Sequence, residues 1–311
     1  MRIRRLVVGV AALLAVAVIA LIGFVVAAPE AATRMAINAE RQRAGLVHKT
    51  IALPGGVQYA YLEGGQGEPL MLLHGFGANK DNFTRVARLL TPHYRVIVPD
   101  HIGFGESSHP PEADYAPTAQ ADRLRALAQA LGVTNLHLGG NSMGGQIAMT
   151  YAALYPSEVK SLWLLDAAGA WTAPESELRK TVRETGQNPL MAANVDEYAR
   201  IIPYVMSDPP YIPAPMVKVM AQERIRNFAL EKRIFKQIAE DSVEARISGN
   251  ATPSLIVWGD QDRAIHVATA EVLHKLLPHS QVIVMPGIGH LPMLERPQQC
   301  AEDYLRFRSS L

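Results

Sequence analysis

The apolar run at residues 136–139 leads into Gly140-Asn141-Ser142-Met143-Gly144-Gly145, and a helix-length stretch at 146–155 follows at once. A G-x-S-x-G pentapeptide is weak by itself, since ordinary residue frequencies produce one by chance in about a tenth of chains this size. Its position is what constrains the fold. A serine on a turn tight enough to join strand to helix sits in strained backbone with its hydroxyl held outward. The flanking glycines are needed because neighbouring Cβ atoms would collide. Such a turn demands a strand before it and a helix after it, the unit from which a parallel sheet is wound.

The rest of the chain keeps that rhythm. Short β-rich runs fall at 48–53, 57–62, 70–74, 95–99, 136–139, 161–165, 254–258 and 281–285. Helix-length segments at 81–90, 118–131, 146–155 and 268–277 lie among them. Apolar strands interleaved with helices predict an open, mostly parallel sheet covered on both faces. The alternation breaks between Ala173 and about Asn250, a helical or loop-like stretch with the turn-rich segment 207–215 in its middle. That stretch reads as an inserted helical cap.

Residues 6–28 carry no charged or strongly polar side chain. As a helix, such a run is about 34 Å long, against a hydrocarbon core of about 30 Å. A transmembrane anchor is expected; the alternative is a cleaved signal peptide with a small-residue exit at Val26-Ala27-Ala28. Arginines flank the run on both sides, Arg2, Arg4 and Arg5 before it and Arg34, Arg41 and Arg43 after it. The short arginine-rich tail resembles a secretory n-region, and a large following domain translocates largely regardless of charge. The expectation is a single-pass protein of the inner (cytoplasmic) membrane, N-terminus cytoplasmic and catalytic domain on the periplasmic or extracytoplasmic side. Ala11 and Ala15, and Gly23 and Ala27, give small-xxx-small spacings suited to a homodimer. From Pro29 a second helix is expected to extend the anchor toward the globular part, with Gly45 as its stop. The segments are therefore 1–28, a transmembrane anchor; 29–47, a juxtamembrane helix; 48–172, the first part of the core; 173–250, the cap; and 251–311, the second part of the core.

Hydrophobic residues at 49% and charged residues at 19% exclude a disordered, collagen-like or coiled-coil chain. The net charge of +1 is more than accounted for by Arg2, Arg4 and Arg5, so no basic nucleic-acid footprint remains. One cysteine, Cys300, rules out an internal disulfide and a cysteine-based zinc cluster.

The chemistry gathers at strand ends. Ser142 is the candidate nucleophile, with the Met143 amide aimed by the new helix at the reacting carbonyl. Leu73-His74-Gly75-Phe76-Gly77 follows another apolar strand and offers the Phe76 amide as a second oxyanion donor. Asp262 and His290 end the last two strands, giving the order serine, acid, histidine. His290 would act as the base and Asp262 would hold its tautomer. Asp260 and Asp166 compete for the acid's role, while His266 lies close to Asp262 in sequence. His74 and its glycines have a purely loop-shaping alternative. The glycines of Pro99-Asp100-His101-Ile102-Gly103-Phe104-Gly105-Glu106-Ser107 are assigned to structure, because no Gly-Lys-Ser/Thr follows them. In the cap, Met206, Tyr211, Ile212, Met216 and Met220 are candidates to line an acyl tunnel, with ordinary cap core as the alternative.

HGFG at 74–77, DHIGFGES at 100–107, GNSMGG at 140–145, GDQD at 259–262 and GH at 289–290 occur in that order between about His48 and Leu311. The set resembles the α/β-hydrolase fold superfamily. With the anchor, it resembles its membrane-bound bacterial lipases and phospholipases A. The resemblance implies an α/β fold with a mostly parallel central sheet and a helical cap insertion. It implies an activity on phospholipids, lysophospholipids or other long-chain acyl esters, with the bilayer as partner, a fatty acid as product, and neither a cofactor nor a metal. GNSMGG also resembles the hydrolases that cleave carbon–carbon bonds in ring-fission products. Those commonly carry tryptophan after the catalytic histidine, where this chain has His290-Leu291-Pro292. A nonenzymatic lipid binder of the same fold is the alternative from a different class.

Overall fold

The computed structural model describes residues 2–311, with side chains described at residue 10 and from residue 13 onward. Readings resting on the side chains of Arg2, Arg4, Arg5 or Ala11 lie outside the described residues. Two helices open the chain, α1 (Arg2–Ala27) and α2 (Pro29–Arg43). The second helix starts at Pro29 as expected but does not run on along the line of the first: the axis bends by 113° between Leu13–Ala27 and Pro29–Arg43. The cause is local. A proline ring disfavours helical backbone at the residue before it, and Ala28 sits at φ −139°, ψ 60°. Pro29 is then free to start a new helix, where its missing N–H costs nothing.

After the bend, α2 lies on the globular part. Ala32 and Thr33 are buried, and Arg41 makes two bonds of 2.7 Å to the Asp81 carboxylate. Among the described residues, no single helix is long and apolar enough to cross a membrane by itself; α1 and α2 reach that measure only as a bent pair. Along α1, Leu13, Leu14, Ile19, Leu21, Ile22 and Val26 all stand exposed.

The core begins with β1 (Val47–Leu53), β2 (Val57–Gly64) and β3 (Glu68–Leu73). Then come α3 (Thr84–Leu90), β4 (Tyr94–Pro99), α4 (Pro117–Ala130), β5 (Leu136–Asn141), α5 (Met143–Leu154) and β6 (Val159–Leu165). Five helices separate β6 from the next strand among the described residues: α6 (Glu177–Thr185), α7 (Val195–Val205), α8 (Ala214–Arg226), α9 (Phe228–Glu240) and α10 (Glu244–Ile247). The chain closes with β7 (Ser254–Gly259), α11 (Thr269–Leu276), β8 (Ser280–Met285), α12 (Pro292–Glu295) and α13 (Pro297–Ser309).

The eight strands form one sheet in the order β1-β2-β4-β3-β5-β6-β7-β8. Only β2 runs against its neighbours. Side chains alternate across the pleat, so one strand feeds two cores. Met71, Leu73, Ile97, Leu164 and Trp258 pack on the face of α4 and α5. Leu70, Leu72, Val96, Trp163 and Val257 pack on the face of α3 and α13. Strands buried on both sides read as continuous apolar runs, which is why they stand out in sequence. The strand order reverses around β3, where the chain leaves for β4 on one side and returns to β5 on the other. The loops after β3 and β5 therefore meet at a switch point beyond the carboxyl ends of the strands, where open sheets bind ligands.

Candidate active site

Ser142 occupies that crevice. It lies between β5 and α5 at φ 54°, ψ −119°, a left-handed backbone that costs a non-glycine residue of order 1–3 kcal/mol. The turn is closed by backbone contacts that exclude side chains. A Cβ on Gly140 would stand 2.3 Å from the Gly144 carbonyl oxygen, and one on Gly144 would stand 2.1 Å from that of Leu73. Asn141 completes the frame by donating from Nδ2 to the carbonyls of Leu165 (3.1 Å) and His290 (3.0 Å). Sequence reasoning left Asn141 without a role; these bonds tie the serine turn to the histidine loop.

His290 and Asp262 come together as expected, with His290 Nδ1 2.8 Å from Asp262 Oδ2. Asp262 Oδ1 accepts from the amides of Ala264 (2.7 Å) and Ile265 (3.0 Å), which fix the carboxylate. Two of the competitors are occupied elsewhere. Asp260 accepts from the Gly287 amide at 2.7 Å, and His266 Nδ1 accepts from the Ala268 amide at 3.1 Å. His74 shapes its loop: Nε2 accepts from the His101 amide at 3.0 Å, so the proton is on Nδ1, which donates to the Gly75 carbonyl at 2.8 Å. Burial lowers the His74 pKa and keeps the ring neutral. The histidine loop is pinned in turn by Glu295, which accepts from the amides of Gly289 (3.0 Å), Ser207 (2.8 Å) and Asp208 (3.0 Å).

The two oxyanion candidates flank the serine. Met143 is the first residue of α5, so its amide is one that helix geometry leaves without an intrahelical partner. A Cβ on Gly75 would lie 3.2 Å from the Ser142 Cβ, so the loop carrying Phe76 abuts the nucleophile. The expected tunnel residues differ widely in setting. Met206 is buried in the core on the α3 and α13 side of the sheet, whereas Tyr211 is 90% exposed. Ile212 and Met216 are half-buried, and Met220 is exposed.

Asp166, at the end of β6, also reaches the triad. Ligand-type atoms of Asp166, Asp262 and His290 all lie within 4.8 Å of one another. A cation would accept that spacing too, but the bond from His290 Nδ1 to Asp262 Oδ2 uses the groups it would need. Asp166 is fully buried at φ 46°, and its Oδ1 accepts from the Gly259 amide at 2.9 Å. Burial, and then the Asp262 carboxylate, push its pKa well above the ordinary carboxylate range. Since the unfolded chain ionises this group more readily, its stabilisation is complete below the ordinary carboxylate range. It is lost as pH rises from there through the raised folded value. Asp166→Asn mimics the neutral acid, and asparagine tolerates left-handed backbone. The variant is expected to melt a few degrees higher than the parent at pH 8, with a smaller gain at pH 5. A gain equal at both pH values would contradict the neutral state of Asp166.

Residues 68–203 and 204–297 match the family model described as alpha/beta hydrolase fold. Lipase 1 of Psychrobacter immobilis is 46% identical over 287 residues, covering 90% of this chain and 89% of its own length. The crystal structure of a membrane phospholipase A, described as a bacterial virulence factor, superposes with a TM-score of 0.88 at 38% identity. That match covers 99% of this chain and 98% of the other. A serine hydrolase involved in carbazole degradation superposes with a TM-score of 0.73 at 25% identity, covering 86% of this chain and all of its own.

Proposed function

We infer, from the premise that this chain belongs to the α/β-hydrolase family and is a lipolytic ester hydrolase, that it is anchored in a membrane and releases fatty acids from phospholipids, lysophospholipids or other long-chain acyl esters through an acyl-enzyme. The observation that carries the chemistry is Ser142 in left-handed backbone, its turn tied through Asn141 to the loop of His290, whose Nδ1 lies 2.8 Å from Asp262. His290 takes the Ser142 proton as Oγ attacks the ester carbonyl, then gives it to the departing alcohol. The amides of Met143 and Phe76 hold the charge that develops on the carbonyl oxygen. Water, activated by the same imidazole, then releases the fatty acid. Asp262 orients the imidazole and stabilises its charged form.

The anchoring reading rests on α1, whose described residues expose an apolar surface with no partner in the fold. Val10 and nine more large apolar side chains between Leu13 and Val26 are exposed. The helical insertion at 173–250 serves as the lid, and the domain stands on the periplasmic side of the inner membrane. Gly23, with open space where a Cβ would be, and Ala27 offer a face for a second α1. The lipolytic reading is favoured over carbon–carbon cleavage because the lipase and phospholipase relatives are nearer in sequence, at 46% and 38% identity against 25%.

The test is fatty-acid release by the detergent-purified full-length protein from defined phosphatidylcholine, lysophosphatidylcholine and monoacylglycerol substrates. Release from at least one of the three, lost in Ser142→Ala, is the expected result. Turnover of a ring-fission product with none of the acyl lipids would overturn the reading.

A further inference from the structure

We propose that Arg224, carried by α8 of the helical insertion, is a positioning residue for the oxyanion hole, holding the loop of Gly75, Phe76 and Gly77 in its catalytic geometry only while the insertion is seated on the core. This rests on the reading of the Phe76 amide as an oxyanion donor.

Arg224 is only 6% exposed, and each of its three guanidinium nitrogens has an acceptor. Nη1 donates to the Gly77 carbonyl at 2.9 Å and Nη2 to the Leu190 carbonyl at 2.6 Å. Nε faces both Glu231 oxygens, at 2.7 and 2.8 Å. One guanidinium thus joins the loop after β3 to two parts of the insertion, the segment before α7 and helix α9. Its Cζ also stands 5.6 Å from the centre of the Phe76 ring. That ring meets Phe104 of the core at 5.7 Å and Phe235 of α9 at 5.2 Å, edge to face in both cases. Loop and guanidinium fit each other closely: Gly77 sits at φ +66°, and a Cβ there would lie 2.2 Å from Arg224 Cζ. The preceding residue of α8, Glu223, accepts from the Gly105 amide at 2.7 Å, so the helix grips two neighbouring loops in succession.

The arrangement matters for catalysis because an oxyanion donor works only when its N–H stands about 2.7–3.1 Å from the charge that develops. A displacement of about 1 Å costs on the order of 10²-fold in rate. The Phe76 amide is held between Gly75, packed on Ser142, and Gly77, whose carbonyl Arg224 holds. If the insertion lifts, that bond and the Phe235 contact are lost together. The hole is then completed by closure, which ties turnover to a seated lid.

Lysine can answer Glu231 but cannot span the Gly77 and Leu190 carbonyls as a planar fork does. Arg224→Lys is expected to lower kcat on a short soluble ester about 10- to 100-fold, with KM changed less than about threefold. An alkyl trifluoromethyl ketone, whose adduct with Ser142 places an oxyanion in the hole, should weaken by the same factor as kcat/KM. Glu231→Gln, which keeps the shape and loosens the guanidinium, should move both readouts the same way by less; it also serves if the lysine variant fails to fold. A raised KM with unchanged kcat, or unchanged affinity for the ketone, would overturn the proposal. If the parent's ester turnover survives Ser142→Ala, the serine mechanism beneath it is what fails. If turnover depends on Ser142 and Arg224→Lys keeps its kcat, only the role of Arg224 fails.

Discussion

Ser142→Ala is expected to lower ester turnover by on the order of 10⁴- to 10⁶-fold while leaving the melting midpoint within about 2 °C of the parent. The serine side chain is buried at 8% exposure, and alanine at φ 54° carries the same backbone strain, so neither packing nor conformation changes much. Ser142→Gly should be equally inactive yet more stable by about 1 kcal/mol, because glycine adopts that backbone without cost. Such a pair of variants separates strain stored for catalysis from catalysis itself. An organophosphate should label the parent and neither variant. His290→Ala should be as severe as Ser142→Ala. Asp262→Ala should leave more activity, since that acid orients rather than reacts and Asp166 stands with a carboxyl within 4.8 Å of the site. Residual turnover in Ser142→Ala above about 1% of the parent would remove Ser142 from the mechanism.

The parts of this fold that are legible in the sequence are those set by local rules. Each of the eight strands lies within two residues of its expected run; the inner ones, such as β5, β6 and β7, are buried on both faces and so are apolar along most of their length. The serine turn is legible for a similar reason. Gly140 and Gly144 are demanded by contacts under 2.5 Å that any Cβ would make with backbone.

What escapes sequence reasoning depends on partners far apart along the chain. Arg224 meets the carbonyl of Gly77 across 147 residues, and nothing near Arg224 distinguishes it from other charged residues of an amphipathic helix. Asp166 reads as a competitor for the acid's role, but its full burial and its place within 4.8 Å of Asp262 and His290 emerge only in the fold. Glu295 looks like a surface acid beside Pro292, yet it bonds the amides of Gly289, Ser207 and Asp208. The bend at Ala28 had a local signal, the proline that follows it. It does not set the angle, because proline also suits the first turn of a helix that follows on from α1.

That bend decides what the N-terminal helices do, and the second large effect follows from it. Were α1 and α2 collinear, α2 would hold the hydrolase domain off the bilayer by about 22 Å. With 113° between them, an α1 that crosses the membrane lays α2 close to the membrane plane. Because α2 packs on α8, and α8 carries Arg224, such an anchor would bring the insertion to the lipid surface together with the loop that Phe76 belongs to. Deleting residues 1–28 leaves α2 and its Arg41–Asp81 pair in place, so hydrolysis of a short soluble ester should stay within about threefold of the full-length protein. Release of fatty acid from phospholipid vesicles should fall about 10- to 100-fold, because a tether otherwise holds enzyme and substrate at an effective concentration in the millimolar range. Equal rates on vesicles for both forms would show that α1 does not govern access to substrate. A truncated form slow on the soluble ester as well would assign α1 to the support of α8 and of the site beneath it.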